Sequence, residues 1–127
     1  MTDLSATHPG GNQSDRLARL LSRFAVAARA HHEAVESMDE ERAETQARMI
    51  AALHEALLRE GQKGEERLLD LVDSLDPVVA GMAAVCSIRL DPRRCLEALR
   101  RVAKEPGLLG FRADVAIQRW ESGNWEG

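Results

Sequence analysis

The sequence has no tyrosine, only 3% aromatic residues and only two cysteines, Cys86 and Cys95. With so few aromatic residues, a core has to be built from Leu, Ala, Val and Ile, which suits close helix packing better than a β-sandwich. Two cysteines exclude a disulfide framework. No apolar run approaches the roughly 20 residues needed to span a bilayer. The net charge of −4 disfavours non-specific binding to DNA or to an anionic membrane.

The N-terminal stretch MTDLSATHPGGNQS has neither a basic n-region nor an apolar h-region, so it predicts no secretory signal. Together with the sparse cysteines, this predicts a soluble cytoplasmic protein, and the Ala-, Arg- and Leu-rich composition is typical of bacterial chains. The length of 127 residues, 44% of them hydrophobic, is that of one domain with its own core.

The distribution of turn-forming residues divides the chain into three parts. Residues 1–13 are rich in Gly, Pro, Asn, Gln and Ser without periodicity, which predicts a disordered tail. Residues 14–123 form a single helical-repeat domain, and residues 124–127 form a C-terminal tail. No window shows the alternation of a half-buried strand. We therefore expect an all-α fold of about six helices in three antiparallel pairs.

Capping signals place the helices. Ser14 or Asp15 caps the first, and the second runs from Asp39 to glycines at 61 and 64. A short third helix follows at about 65–75. Two Asp–Pro pairs, 76–77 and 91–92, each predict an N-cap followed by a first-turn proline. Residues 78–90 are apolar nearly all round, which predicts a helix at the centre of the domain. The last helix follows Pro106–Gly107 and ends near Gly123.

A degenerate repeat links the fourth and sixth helices. Four residues recur after 29 positions, since Pro77, Gly81, Ala84 and Ile88 correspond to Pro106, Gly110, Ala113 and Ile117. A bulky apolar residue follows each of the two glycines, Met82 in the first unit and Phe111 in the second. Such repeats are typical of stacked helical units that bury their apolar faces against a neighbour. Because glycine costs a helix about 1 kcal/mol, its recurrence predicts equivalent close helix crossings.

The residues of the first unit resemble a HEAT repeat: Leu68, Leu71, Asp76-Pro77-x-Val79, Ala83-Ala84 and Ile88. The second unit, 96–120, resembles it less closely. The stretch 57–123 is also similar to a small bacterial family of HEAT-like proteins of uncharacterised function. The resemblance implies a right-handed α–α superhelix whose faces bind a partner, usually a protein, and it carries over no catalytic residue. HEAT units usually have Arg where this chain has Ala80, and the repeat is shorter than the roughly 40 residues usual for them.

The polar residues predict no catalytic, cofactor or metal site. His31 and His32 could serve a metal-dependent helical enzyme together with carboxylates, but a hairpin turning near Ser37 would place His32 about 18 Å from His54 along the axis. Cys86 lies in the most apolar helix and Cys95 on the apolar face of the following one, where cysteine usually behaves as a small hydrophobe. No nucleophile elbow, P-loop, dinucleotide fingerprint or HExxH pattern occurs. We therefore predict that the chain is not an enzyme.

The charge distribution offers candidate binding residues. Residues 36–75 hold eleven acidic and five basic residues, whereas residues 76–127 hold eight basic and seven acidic. The acidic part could form a surface that blocks a basic partner, or serve solubility alone. The fifth helix has a basic stripe at Arg93, Arg100, Arg101 and Lys104, and the sixth has a second basic row at Arg112 and Arg119. These residues could bind a carboxylate- or phosphate-rich partner, or be a solvated helix back. Trp125 could anchor a partner or a second copy of the chain, or pack over the last helix. The candidate partner-binding residues are Arg93, Arg100, Arg101, Lys104, Arg112 and Trp125.

The leading hypothesis is a non-enzymatic protein-binding module of unknown partner, with an immunity or antidote protein as a specific case. The alternative is a nucleic-acid-binding helical repeat that uses the basic stripe, although an acidic chain poor in aromatic residues disfavours nucleic acid. No cofactor and no membrane association are expected, and a homodimer is a further option.

Overall fold

The described part of the chain is entirely helical. The computed structural model describes the backbone of residues 9–125 and the side chains of residues 12–125. This part contains no strand and six α-helices, joined between the third and fourth by a 3-10 turn at Leu71–Asp73. The helices are α1 (Pro9–Glu36), α2 (Glu40–Arg59), α3 (Gln62–Asp70), α4 (Pro77–Ser87), α5 (Pro92–Val102) and α6 (Gly107–Glu121). The predicted all-α class is confirmed for these residues, and none of their helices is long and apolar enough to cross a membrane.

Three aspartates begin helices, as the sequence predicts. Asp39 accepts a hydrogen bond from the backbone N–H of Arg42 at 3.1 Å. Asp76 accepts one from Val78 at 2.9 Å, and Asp91 accepts one from the N–H three residues on, at 3.2 Å. In α4 and α5 a proline follows the cap and holds the first turn in helical geometry. Each cap satisfies a backbone donor that the helix leaves without a partner, and is worth about 1 kcal/mol.

Helix α4 lies at the centre of the fold. It contacts α1, α3, α5 and α6, which confirms the central position predicted from its apolar sequence. The side chains that meet its neighbours are small, because its buried residues are Val79, Ala80, Gly81, Ala83, Ala84 and Ser87. The bulky part of the core comes from the surrounding helices, with Phe24 on α1, Leu57 on α2 and Leu99 on α5 all buried.

The predicted start of the first helix is wrong. Helix α1 begins at Pro9, inside the predicted tail 1–13, and not at Ser14. Proline is tolerated at the first helical position, because its missing N–H would have had no partner there. A long-range contact also holds this end: the Gln13 side-chain amide donates to the backbone oxygen of Glu60 at 3.1 Å. Residues 1–8 lie outside the described residues.

The boundary between α2 and α3 also differs from the prediction. Helix α2 ends at Arg59, and α3 begins at Gln62, three residues earlier than expected. Gly61 has a positive φ of 81° and supplies the turn. Gly64 does not end α2 but lies buried inside α3. Its missing side chain lets α3 approach the end of α2, because a Cβ at Gly64 would collide with the carbonyl oxygen of Leu57.

The two glycines of the 29-residue repeat lie in different environments, so the predicted equivalence is wrong. A Cβ at Gly110 would collide with the carbonyl oxygen of Glu105 in the turn before α6. A Cβ at Gly81 would lie 3.6 Å from Val102 Cγ1, which is ordinary van der Waals contact. Gly110 therefore matches Gly64, since each allows a helix start to approach the preceding helix end. The repeat preserves burial at its later positions, where Ala84, Ala113, Ile88 and Ile117 are all buried.

Ion pairs connect helices that are distant in sequence. The Arg29 Nε donates to Asp76 Oδ2 at 2.7 Å and joins α1 to the cap of α4. Partial burial raises the pKa of Asp76, but hydrogen bonds from Arg29 and from the Val78 N–H outweigh this and hold it below its ordinary value. Arg94 on α5 contacts Asp73 at 2.6 Å and Asp70 at 3.4 Å. Acids of residues 36–75 are thus partly paired with bases of residues 76–127.

The glycine environments predict opposite effects of one added methyl group. Gly110→Ala is expected to destabilise the fold by about 2 kcal/mol or more, because the backbone of the α5–α6 turn has to move. Gly81→Ala is expected to be neutral or to stabilise by up to about 1 kcal/mol, since alanine favours the helix and the methyl group fits. Urea unfolding of both variants measures the difference, and equal free energies of unfolding would contradict the assignment of roles.

Candidate functional site

A cleft of about 340 Å³ lies between α1, α4, α5 and α6. Its small residues are Ala28, Gly81, Ala113 and Ala116, which leave space that larger side chains would fill. Helix α4 adds Val78, Met82 and Val85, and α5 adds Leu99 and Val102. The cleft therefore combines small residues, which leave the space, with larger apolar side chains that form its walls.

Basic groups line the cleft at two of its helices. Helix α1 contributes His31 and His32, and α6 contributes Arg112 and Arg119. Among the described residues that line the cleft, none is Asp or Glu, although the chain has 21 acidic residues and a net charge of −4. Neither Arg112 nor Arg119 makes an ion pair within residues 12–125. The cleft is therefore a locally positive, mostly apolar space on an acidic protein.

The two histidines are held in one tautomer. Nδ1 of His31 and Nδ1 of His32 are buried and have no hydrogen-bond partner among the described residues. A proton on such a nitrogen would cost about 1–3 kcal/mol, so it resides on Nε2. For His32 this agrees with the geometry, because its Nε2 lies 3.3 Å from Oε2 of Glu36, where an Nε2–H has an acceptor. In His31 the Nε2–H is the ring's available donor.

The environment keeps His31 neutral at physiological pH. Burial lowers the pKa of His31 below its ordinary value of 6.5, and the positive charge of Arg112 lowers it further. The buried Nδ1 acts in the same direction, since protonation would place a second N–H where no acceptor exists. His31 therefore offers a neutral N–H donor beside the permanent charge of Arg112.

The predicted basic stripe of α5 lies outside the cleft and is largely ion-paired. Arg93 Nε lies 3.7 Å from Glu97 on its own helix. Arg100 lies 3.0 Å from Glu121 on α6. Arg101 donates to the backbone oxygen of Val72 at 3.3 Å and lies 3.7 Å from Asp73. Lys104 is exposed, and within residues 12–125 no acidic side chain pairs with it.

Trp125 packs over α6, which is the second of the two alternatives predicted for it. Its ring lies edge-to-face on Trp120, with centroids 5.8 Å apart and planes at 76°. The backbone N–H of Asn124 donates to the oxygen of Arg119 at 2.9 Å and holds the segment against the helix. Trp125 is half-buried and also lines the cleft. Of the six predicted residues, the structure thus brings Arg112 and Trp125 together in one site.

The cysteines contribute to packing and not to the cleft. Cys95 is buried and Cys86 half-buried, and both are reduced. Burial raises the pKa of Cys86 to about 12 and that of Cys95 to about 11, so both are thiols at neutral pH. Within residues 12–125 no three His, Cys, Asp or Glu side chains converge as metal ligands would.

Sequence reasoning missed most of the cleft, although one signal pointed to it. Met82 and Phe111 follow the two repeated glycines, and both line the cleft. Phe111 is 65% exposed, so it forms an apolar edge open to solvent. The bulky residue after each glycine therefore marks the site better than the glycines do. Arg119 belongs to the basic row predicted on the sixth helix, and the sequence offers His31 only as a candidate metal ligand. Their meeting at one cleft has no sequence signal, because it depends on the packing of α1 and α6 against α4.

Comparison of the chain with protein-family models, with curated proteins and with solved structures found no match. The HEAT-like resemblance accordingly remains a prediction from the sequence.

The lowered pKa values predict a loss of stability on mild acidification. Burial lowers the pKa of His31 and also that of His54, where Glu55 partly opposes it. The unfolded chain therefore binds more protons than the folded one just below pH 6.5, and unfolding becomes easier as the pH falls. We expect the free energy of unfolding to fall between about pH 7.5 and pH 5.5. The variant His31→Gln should flatten this dependence in part, and the double variant with His54→Gln should flatten it further. A profile that the substitutions leave unchanged would contradict the assignment.

Proposed function

We propose that the chain is a non-enzymatic binding module that docks a protein partner through the cleft. In this proposal the helices form three antiparallel pairs in a HEAT-like α–α superhelix, and the cleft lies on the face that meets the partner. An antidote protein that neutralises a toxin within the same bacterial cytoplasm is the specific case that we favour. The small size of the chain and its exposed charges fit that role.

One observation supports the proposal above all. The chain is acidic, but the described residues that line the cleft include two arginines and no acidic residue. Phe111, 65% exposed at the cleft, adds apolar area that water covers poorly. Aromatic and arginine side chains beside a depression are typical of the energetic centres of protein interfaces. A partner segment that presents a carboxylate next to an apolar side chain complements both features.

The basic stripe gives less support to nucleic acid as the partner. Arg93, Arg100 and Arg101 each have an acidic neighbour within 3.7 Å. A phosphate group would have to displace a carboxylate of the same chain at each of these positions, which reduces the gain from binding. Arg112 needs no such exchange with a described residue, so we place the docking site there.

Affinity capture from the native host tests the proposal with matched charge reversals. Arg112→Glu should weaken capture of the partner by about thirtyfold or more, because a lost interfacial charge pair costs about 2 kcal/mol or more. The control Arg23→Glu reverses a charge on the exposed side of α1 and should capture as well as the unmodified chain. Circular dichroism of each variant shows that the fold is retained.

Other outcomes would overturn the proposal. Capture that survives Arg112→Glu but is lost in the double variant Arg100→Glu and Arg101→Glu would move the docking surface to the stripe. Loss of captured material on nuclease treatment would replace the protein partner by nucleic acid. Recovery of the chain alone at every salt concentration, as a dimer by light scattering, would make a second copy the partner.

A further inference from the structure

The shape of the cleft limits what it holds. Its volume of about 340 Å³ lies at the lower end of the roughly 300–1,000 Å³ of small-molecule sites. It has room for one compact apolar group and not for a helix. Met82 and Val85 of α4 and Leu109 of α6 supply apolar walls. These side chains have no donors or acceptors, so the part of the ligand that meets them is apolar.

The polar groups of the cleft suit an anion. Arg112 is half-buried whereas Arg119 is exposed, so Arg112 is the arginine of the cleft that is more enclosed by the protein, where a charge pair is screened less by water. One guanidinium fork matches the two oxygens of a carboxylate. His31 adds a neutral N–H donor, as its buried Nδ1 requires. With no acidic side chain among the described lining residues, nothing in that lining repels an anion.

We propose that the cleft binds a monocarboxylate joined to an apolar group, with the carboxylate on Arg112 and the apolar group against Met82 and Val85. The chemistry is shared by two sources, a free straight-chain carboxylic acid and the last residue of a peptide that ends in an apolar side chain. The inference rests on the proposed function for its choice of site and deepens it by naming the group that is recognised.

Tryptophan fluorescence can report binding directly. The chain has only two tryptophans and no tyrosine, the two rings are in contact, and Trp125 lines the cleft. Octanoate is the first probe, and octanol is its uncharged match. Octanoate should change the emission saturably and should bind about tenfold or more tighter than octanol, because only octanoate forms the charge-assisted pair. Equal affinities for the two probes would overturn the inference.

A substitution cycle assigns the carboxylate to Arg112. Arg112→Gln keeps a polar side chain, shorter than that of arginine, but removes the charge, so octanoate affinity should fall about tenfold while octanol affinity stays the same. Arg23→Gln is the matched control and should change neither. An equal fall for both probes in Arg112→Gln would mean that the variant damages the cleft and not a carboxylate contact, and would contradict the proposal.

Peptide probes separate the two sources. A short Gly/Ser peptide ending in leucine with a free carboxylate is compared with the same peptide ending in an amide. If the peptide with the free carboxylate binds more tightly than octanoate, the ligand is a chain terminus. If octanoate binds and the peptide does not, the ligand is a free acid. Binding of neither octanoate nor the free-carboxylate peptide overturns the inference.

Failure of this inference is distinguishable from failure of the proposed function. If neither probe binds while Arg112→Glu still abolishes partner capture, the proposed function stands and the ligand class is wrong. If octanoate binds and Arg112→Glu leaves capture intact, the ligand class stands and the docking site is wrong.

Discussion

The fold depends on the close approach of its helices to α4, which offers them almost nothing larger than a valine. Ala80, Ala83 and Ala84 are buried at its surface, so neighbouring helices approach its backbone and gain dispersion contacts along their length. Close packing at small residues also creates space beside them, since side chains of one helix have to lean away from the contact. The cleft beside Gly81 and Ala113 arises from this constraint. The close packing around α4 and the cleft beside it therefore both follow from the small size of the residues on α4.

The charged residues in the described part of the chain fall into those that pair with each other and those that do not. The acidic middle of the chain and its more basic C-terminal part meet through Arg94 and Arg101, which both contact Asp73. Exposed ion pairs of this kind each contribute little to stability. Together, however, they pair most of the basic residues of the α5 stripe with acidic residues of the same chain. Arg112 is different, because the described residues that share the cleft with it are apolar side chains, two histidines and Arg119, and none of them is acidic. An arginine that the described fold does not pair is the group most available to a ligand.

The sequence was sufficient for features determined by local chemistry and insufficient for those determined by distant contacts. The caps at Asp39, Asp76 and Asp91 were predictable, because side chain and backbone donor lie two or three residues apart. The central position of α4 was predictable from its apolar surface. The start of α1 was not, because the hydrogen bond from Gln13 reaches a residue 47 positions away. The cleft was only half predictable, since Arg112 and Trp125 were identified but His31 joins them through packing alone.

Gly81 lies where the packing of α4 and the cleft meet. Glycine within a helix costs about 1 kcal/mol relative to alanine, and at Gly110 close backbone approach explains that cost. No such approach explains Gly81, because a Cβ there would rest 3.6 Å from Val102 in an ordinary contact. What distinguishes Gly81 is that it lines the cleft, where a methyl group would take up space between α4 and α5. Residues that lower stability without a packing reason are expected where function requires open space. Gly81 therefore lacks the packing explanation that Gly110 has, and its place in the lining of the cleft is what sets the two glycines apart.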